Sequence, residues 1–382
     1  MLGQTTTTGS IELNPDGSGL PAGPHPLNST RTLVLAFAGA DVDKSAPAIS
    51  KLHAAFPDSV VLGCSTSGHM FGPSLGDATI SVAVKKFTHT DLTLATAPVR
   101  SAADSLLAGR ALGEQLKRDG LAGVFVLSDG LKVNGSDLVK GMTEVLGKDV
   151  VITGGLAGDG SRFQNTWLLK NGAIAENCIV AVGFKGDRVR IGHGTRGGWD
   201  VFGIQRTITE SRNNVLFKLD NQPALEVYKK YLGERASGLP AAALLFPLSI
   251  SMPESPEHGL VRTILSVNEN DQSMTFAGDI PQGARGMFMK ANPDRLVGAA
   301  TEAGTDATGN ASTQPLMIAV SCVGRRLVLG PRAVEEAENL QDCLPPGGIL
   351  TGFYSYGELA PSSSGWCSLH NQTMTVTAIW EE

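Results

Sequence analysis

Basic charge is in short supply. The chain sets 31 Lys and Arg against 37 Asp and Glu, a net charge of -6, which leaves none of the broad positive surface that contact with nucleic-acid phosphates demands. Long apolar runs are missing too: no stretch reaches the roughly 18 residues a membrane-crossing helix requires, and the opening MLGQTTTTGSIELN lacks the basic end and apolar core of an export signal. The five cysteines, Cys64, Cys178, Cys322, Cys343 and Cys367, are odd in number, widely spaced and never form a CxxC pair, so neither a disulfide framework nor a structural zinc site is encoded. No glycine-bounded turn is followed by Lys and then Ser or Thr. Gly68 precedes His69, Gly160 precedes Ser161 and Gly357 precedes Glu358, which excludes a Walker-type phosphate loop and with it nucleotide hydrolysis. The expectation is a soluble protein of a reducing, cytoplasmic compartment.

What is present is a recurring order of elements. At 382 residues the chain exceeds the size at which a single core stops growing, so two domains or two fused halves are expected. Residues 1–30, rich in Thr, Gly, Pro and Asn without apolar period, read as a mobile tail with room for one short extended piece. Thr32 to Gly39 then reads as a buried strand, Ser45 to Phe56 as a helix with Ala48, Leu52 and Phe56 on one face, SVVLGCSTSG as a second strand entering a turn, and Asp77 to Phe87 as a third strand. The order repeats from Gly123 to Gly130, through a helix at Ser136–Leu146 and DVVITGGLAGDG, to TWLLKNG and NCIVAVGFKG. It repeats again from Pro315 to Gly324, through a helix at Arg332–Cys343 and GGILTGFYSYGEL, to TMTVTAIW. In each unit two glycines after the helix are separated by four residues: Gly63 and Gly68, Gly155 and Gly160, Gly352 and Gly357. Such repetition implies internal pseudo-symmetry, with the equivalent turns meeting around one cleft and offering amide N–H groups to a carboxylate.

Between the second and third units lies a β-rich stretch with a helix at Pro223–Leu232 and a hairpin turn at Asn268–Gln272. The fold class read from this pattern is α/β, with mixed β-sheets, packed helices and two related halves, 31–220 and 221–382.

The segments GCSTSG, SDGL, GGLAGDG and RGGWDVFG, followed by SCVGRR, GFYSYGE and LHNQT, resemble the FIST family, whose name stands for F-box and intracellular signal transduction. The resemblance covers nearly all the chain after the tail. It implies a non-enzymatic sensory protein that binds a small ligand between its halves, an amino acid being the usual proposal, and that acts beside a histidine kinase or another signalling protein. One stand-alone branch binds haem to sense nitric oxide. Two departures from the family pattern stand out: His69 replaces an acidic residue after the first turn, and the Gly/Pro-rich tail replaces a helix before the first strand.

The candidate ligand contacts are Cys64, Ser65, Thr66 and His69 from the first turn, Gly155 and Asp159 from the second, and Arg325, Tyr354, Tyr356, Glu358, His370 and Asn371 from the third unit. Tyr354, Tyr356 and Glu358 alternate, so a strand would present all three on one face to an ammonium-bearing ligand. Arg325 offers a fork for a carboxylate. If haem is the ligand, His258, with Arg262 close behind, is the first choice of axial residue and His193 the second. The competing reading is a cysteine enzyme in which Cys64 attacks with His69 or His370 as base.

Overall fold

The computed structural model describes residues 7–382 except 22, 240, 254, 310, 312, 363 and 364, and the side chains of 241 and 255–258 also lie outside the described residues. The first unit comprises β1 (Thr8–Leu13), β2 (Thr32–Ala38), α1 (Val42–Ala55), β3 (Val60–Ser65), the small hairpin β4 (His69–Phe71) and β5 (Ser74–Gly76), and β6 (Ile80–Lys86). The second has β7 (Asp91–Pro98), α2 (Ser105–Leu116), β8 (Leu121–Ser128), α3 (Gly135–Leu146), β9 (Val151–Leu156), the hairpin β10 (Leu168–Lys170) and β11 (Ala173–Ala175), and β12 (Cys178–Lys185). β13 (Val189–Arg196) opens the third unit, which is then interrupted.

The interruption is a β-rich module with its own core. It contains β14 (Asp200–Val201), β15 (Arg206–Arg212), β16 (Val215–Leu219), β17 (Gln222–Pro223), α4 (Ala224–Leu232), β18 (Leu248–Met252), β19 (Ser255–Arg262), β20 (Ile264–Asn268), β21 (Ser273–Phe276) and β22 (Arg285–Lys290). These strands make one sheet, over which Leu225 and Tyr228 of α4 pack on Leu216, Met274 and Phe288. The hairpin expected at Asn268–Gln272 joins β20 to β21. The third unit resumes with α5 (Pro293–Thr308), β23 (Leu316–Cys322), α6 (Val323–Leu329), α7 (Val334–Asp342), β24 (Ile349–Ser355), the hairpin β25 (Gly357–Pro361) and β26 (Cys367–His370), and β27 (Met374–Glu381).

Each unit lays its strands in the same order: opening strand, closing strand, first core strand, second core strand, then a hairpin borrowed from a different unit. The three sheets run β1-β6-β2-β3-β10-β11, β7-β12-β8-β9-β25-β26 and β13-β27-β23-β24-β4-β5. The two core strands are parallel in every case. Hairpins circulate: unit one lends to sheet three, unit two to sheet one, unit three to sheet two. Alternation along each core strand explains the continuous apolar runs. Leu33, Leu35 and Phe37 point with Phe125, Leu127, Ile318 and Val320 into a core shared by all three sheets, while Val34 and Ala36 face outward beneath α1. α2 and α3 cover sheet two, and α5 and α7 cover sheet three. Between β1 and β2 the described residues form no helix, whereas α2 and α5 occupy the matching place in the other units.

Three expectations need correction. The chain leaves sheet three at Ser355 and enters sheet two at Gly357, so GFYSYGEL is not one strand, and Tyr354, Tyr356 and Glu358 do not share a face. The glycine that matches Gly63 and Gly352 is Gly154 rather than Gly155. Gly63, Gly154 and Gly352 lie opposite Ala36, Val126 and Ala319 in the parallel registers, and a Cβ at those glycines would sit 1.9, 1.8 and 2.3 Å from the facing carbonyl oxygens. The third correction is an addition: helices α2 and α5 precede the core strands of the second and third units.

These contacts predict that Gly63→Ala destabilises the fold by about 3 kcal/mol or more through overpacking against backbone that has no room to yield. Gly160 faces open space and has φ +81°, so Gly160→Ala should cost only the backbone strain, about 1 kcal/mol. Urea denaturation of the two variants checks the difference, and equal losses would contradict the assignment.

Candidate functional site

At one end of the shared core the three turns meet, and they close on one another. Ser67 N–H donates to the Tyr354 carbonyl (2.9 Å), Tyr356 N–H to Leu156 (3.1 Å) and Gly158 N–H to Ser65 (3.0 Å). Each donor lies four residues beyond the matched glycine and each acceptor two, so the bonds form a ring. Ser65, Thr66, Ser67, Asp159 and Ser355 are buried there. The ring thus consumes the amide groups expected to face a ligand.

Beside this end the β-rich module docks on the second unit, and a cavity of about 650 Å³ lies along the seam. Gly130, Leu131, Asn134, Asp137, Leu156 and Phe163 form one wall, Asn213, Asn214, Leu265, Phe276 and Asp279 the other, and Tyr356 comes from the third unit. The Phe163 ring stacks on Tyr356 at 4.4 Å between centroids, with Phe163 at φ +52°. That left-handed backbone is costly for an aromatic residue. The Asp159 carboxylate holds it, accepting the N–H groups of Phe163, Gln164 and Asn165 at 2.8 to 3.0 Å as well as the Tyr356 hydroxyl. Burial would raise the Asp159 pKa, but the hydrogen bonds from Tyr356 and the three amides outweigh it and hold the carboxyl below its ordinary value. Arg262 helps dock the module, its Nη1 donating across the seam to the Leu369 carbonyl (3.1 Å) while its Nε donates within the module to the Asp279 carbonyl (3.1 Å), and Asn134 reaches Asp279 at 3.5 Å. A second hollow of about 590 Å³ lies between α3, β19 and β26, lined by Val139, Lys140, Leu260, Arg262, Trp366 and Leu369.

The FIST N domain model matches residues 32–222 and the FIST C domain model residues 224–361. The chain belongs to the FIST family. FIST domains are small-ligand-binding sensory modules of signal transduction. The junction of the two family models falls inside the β-rich module, at the tight pairing of β16 with β17. Among curated proteins none matches this chain. A crystal structure of a cyanuric acid hydrolase from A. caulinodans is similar at 10% identity over 98% of each chain, with a TM-score of 0.38, too loose a likeness to transfer chemistry.

In this FIST protein the residues expected at one site fall into separate places. Tyr356 lines the seam cavity, with Asp159 directly behind it. Cys64 and Gly155 lie inside the protein, Cys64 in the shared core and Gly155 paired with Glu358 in sheet two. Burial pushes the Cys64 thiol well up, and His69 and His370 bond instead to Thr79 (3.1 Å) and the Ala360 carbonyl (3.2 Å). The constellation therefore lacks an activated thiol and an adjacent base. Arg325 is fully buried and spends its fork on Glu336 (2.9 and 2.7 Å) and on the Gly197 and Leu296 carbonyls. Tyr354 donates into the same knot at Glu336 (3.0 Å). Arg326, the neighbour, ties units one and three through Ser67 O (2.5 Å) and Asp77 (2.7 Å). Glu358 sits apart, bonded by Ser355 (2.6 Å) and Thr373 (2.9 Å). Just past His370, the strand partner of Glu358, the buried side-chain amides of Asn371 and Gln372 have no hydrogen-bond partner among the described residues. His258 lies in β19, but its side chain is outside the described residues.

Sequence reasoning missed the module's share of the site: Asn213, Asn214, Leu265 and Asp279. Asn213 has φ +51°, and an Asn-Asn pair between two strands was the one local sign of an exposed polar turn.

No helix of the described residues is long and apolar enough to cross a membrane, and no group of three or more His, Cys, Asp or Glu among them could hold a metal ion.

Stability should peak near pH 6.5. Burial lowers His69 and His370 from 6.5 to about 4, so between those values the unfolded chain binds more protons and stability rises with pH. Burial lifts Glu358 from 4.5 to about 8, against the pull of Ser355 and Thr373, so there the folded chain binds more protons and stability falls as pH rises. These histidines, with His25 and His193 lowered by burial in the same direction, outweigh one glutamate up to pH 6.5, and above it Glu358 dominates until about 8. Urea titrations from pH 5 to 8 should show the decline above 6.5, and Glu358→Gln should remove it.

Proposed function

We propose that this FIST protein is a sensor that takes a small ligand into the seam cavity and reports occupancy through the docking of its β-rich module, without turning the ligand over. The observation that carries this reading is the cavity itself, which lies between two separate hydrophobic cores and is walled by residues from the second unit, the module and the third unit. Ligand sites favour such seams. A ligand that touches both walls binds the docked arrangement better than an undocked one, and that difference in affinity is the energy available to shift the population. Arg262 and the Asn134–Asp279 contact are the protein's own share of the same equilibrium. A signalling protein such as a histidine kinase would read the change, and the cytoplasm is the compartment in which this chain would meet it.

Haem fits the seam cavity poorly. An axial ligand and basic partners for the propionates are required, yet the lining contains no histidine and its two charged residues are Asp137 and Asp279. The hollow beside α3 has Lys140 and Arg262 but again no histidine in its lining.

The test is a thermal-shift screen of amino acids and amines on the full chain and on Leu265→Trp. Leu265 is half exposed at the cavity wall, so the indole should block the cavity without disturbing a core. A ligand at a hundred times its Kd should add about 2.7 kcal/mol of stability, with no product formed, and the variant should lose the effect. Stabilisation that persists in Leu265→Trp would sink the assignment. So would a Soret band, in protein expressed with haem precursor, that disappears in His258→Ala.

A further inference from the structure

We infer that the seam cavity selects an organic cation that carries no carboxylate, such as an amine or a quaternary ammonium on an apolar body. The inference rests on the reading of the cavity as the ligand site and names the chemistry of its occupant.

The charges of the wall all have one sign. Asp137 and Asp279 line the cavity, and no Lys, Arg or His does. Neither carboxylate is in an ion pair among the described residues, although Asp279 takes the amide of Asn134 and lies within electrostatic reach of the buried Arg262. Asp137 stands in the first turn of α3, where the helix dipole favours negative charge. The nearby cations are committed elsewhere. Arg162 approaches Asp159, Lys132 donates to Asn177, and Arg262, packed behind Gly278, gives its donors to backbone carbonyls. The lining therefore carries negative charge alone, which a bound cation would offset and a bound anion would meet with repulsion.

The aromatic pair supplies the second, independent sign. Phe163 is half exposed and held in a left-handed backbone, stacked on Tyr356 at the cavity wall. The Asp159 clamp spends four hydrogen bonds to keep that loop in place, and its effect is to present an aromatic face beside two carboxylates. Aromatic faces and carboxylates together recognise ammonium groups. A zwitterionic amino acid would bring its own carboxylate against Asp137 or Asp279 with no cation in the lining to receive it, a repulsion that low local dielectric strengthens.

Matched pairs that differ by one carboxylate test this directly: tyramine against tyrosine, and agmatine against arginine, titrated calorimetrically into the full chain at pH 7. At least one amine should bind at least tenfold more tightly than its amino acid, a difference of about 1.4 kcal/mol or more. Asp137→Asn should weaken that amine at least tenfold, and Phe163→Leu should weaken it too. If an amino acid binds as tightly as its amine, and Leu265→Trp removes that binding, the cation assignment fails while the cavity stands as the site. If amine binding survives Leu265→Trp, the cavity is the wrong place and both fail. If neither amine binds, the cation assignment is overturned.

Discussion

Three backbone hydrogen bonds organise this molecule. Ser67, Tyr356 and Gly158 each donate to a carbonyl two residues past the matched glycine of another unit, and closing that ring dictates where the chain goes next. Once the turns interlock, the hairpin that follows each turn is carried past its own sheet and lands on the edge of another. The exchange β4-β5, β10-β11 and β25-β26 is the result. A sheet completed by another unit's hairpin leaves its backbone groups paired at that edge, which is the ordinary requirement for buried polar groups. The matched glycines serve the same end, because each lets a parallel neighbour's carbonyl approach to a distance that no side chain permits.

Interlocking restricts how such a protein can move. Hydrogen-bonded ladders join β24 to β4 and β13 to β27 in sheet three and β9 to β25 in sheet two, so the N-terminal and C-terminal family halves are stitched across two sheets. A switch that parted those halves would have to break ladders whose amides have no other partners. The β-rich module differs. It has its own core and meets the second unit through Asn134 with Asp279 and the third through Arg262 with Leu369 and Asp200 with Asn292 and Arg295, while its Met289 and Val261 pack into the core under sheet three. The proposed switch accordingly moves the module rather than parting the two halves, and the seam cavity lies along the module's edge.

The repeat was legible because burial on both faces leaves a plain mark. Runs such as TLVLAFA in β2 and LMIAVSC in β23 are long enough for strands, too short for helices and bounded by glycine. The site was far less legible. Arg325 looked like a ligand contact because its fork suits a carboxylate, and Glu358 because strand alternation set it beside two tyrosines. Both have internal partners instead: Arg325 meets Glu336, eleven residues away on another helix, and Glu358 meets Ser355 and Thr373. A buried charge with a partner and one awaiting a ligand are indistinguishable in sequence, since the distinction depends on what else reaches the same point. Tyr354 and Tyr356 show the same limit, for strand alternation holds within one sheet and the chain changes sheets between them.

The amino-acid sequence by itself determined the family, the α/β class and the threefold recurrence of strand, helix, strand and turn, because these follow from local periodicity and from glycine at positions of close approach. Tertiary structure alone decided which hairpin completes which sheet, that the three turns close rather than open, and that a cavity forms between the module and the second unit. Those outcomes depend on contacts such as Asn134 with Asp279 or Ser67 with Tyr354, between residues far apart in the chain. Their pairing is selected by the packing of whole sheets and not by any pattern within a single segment.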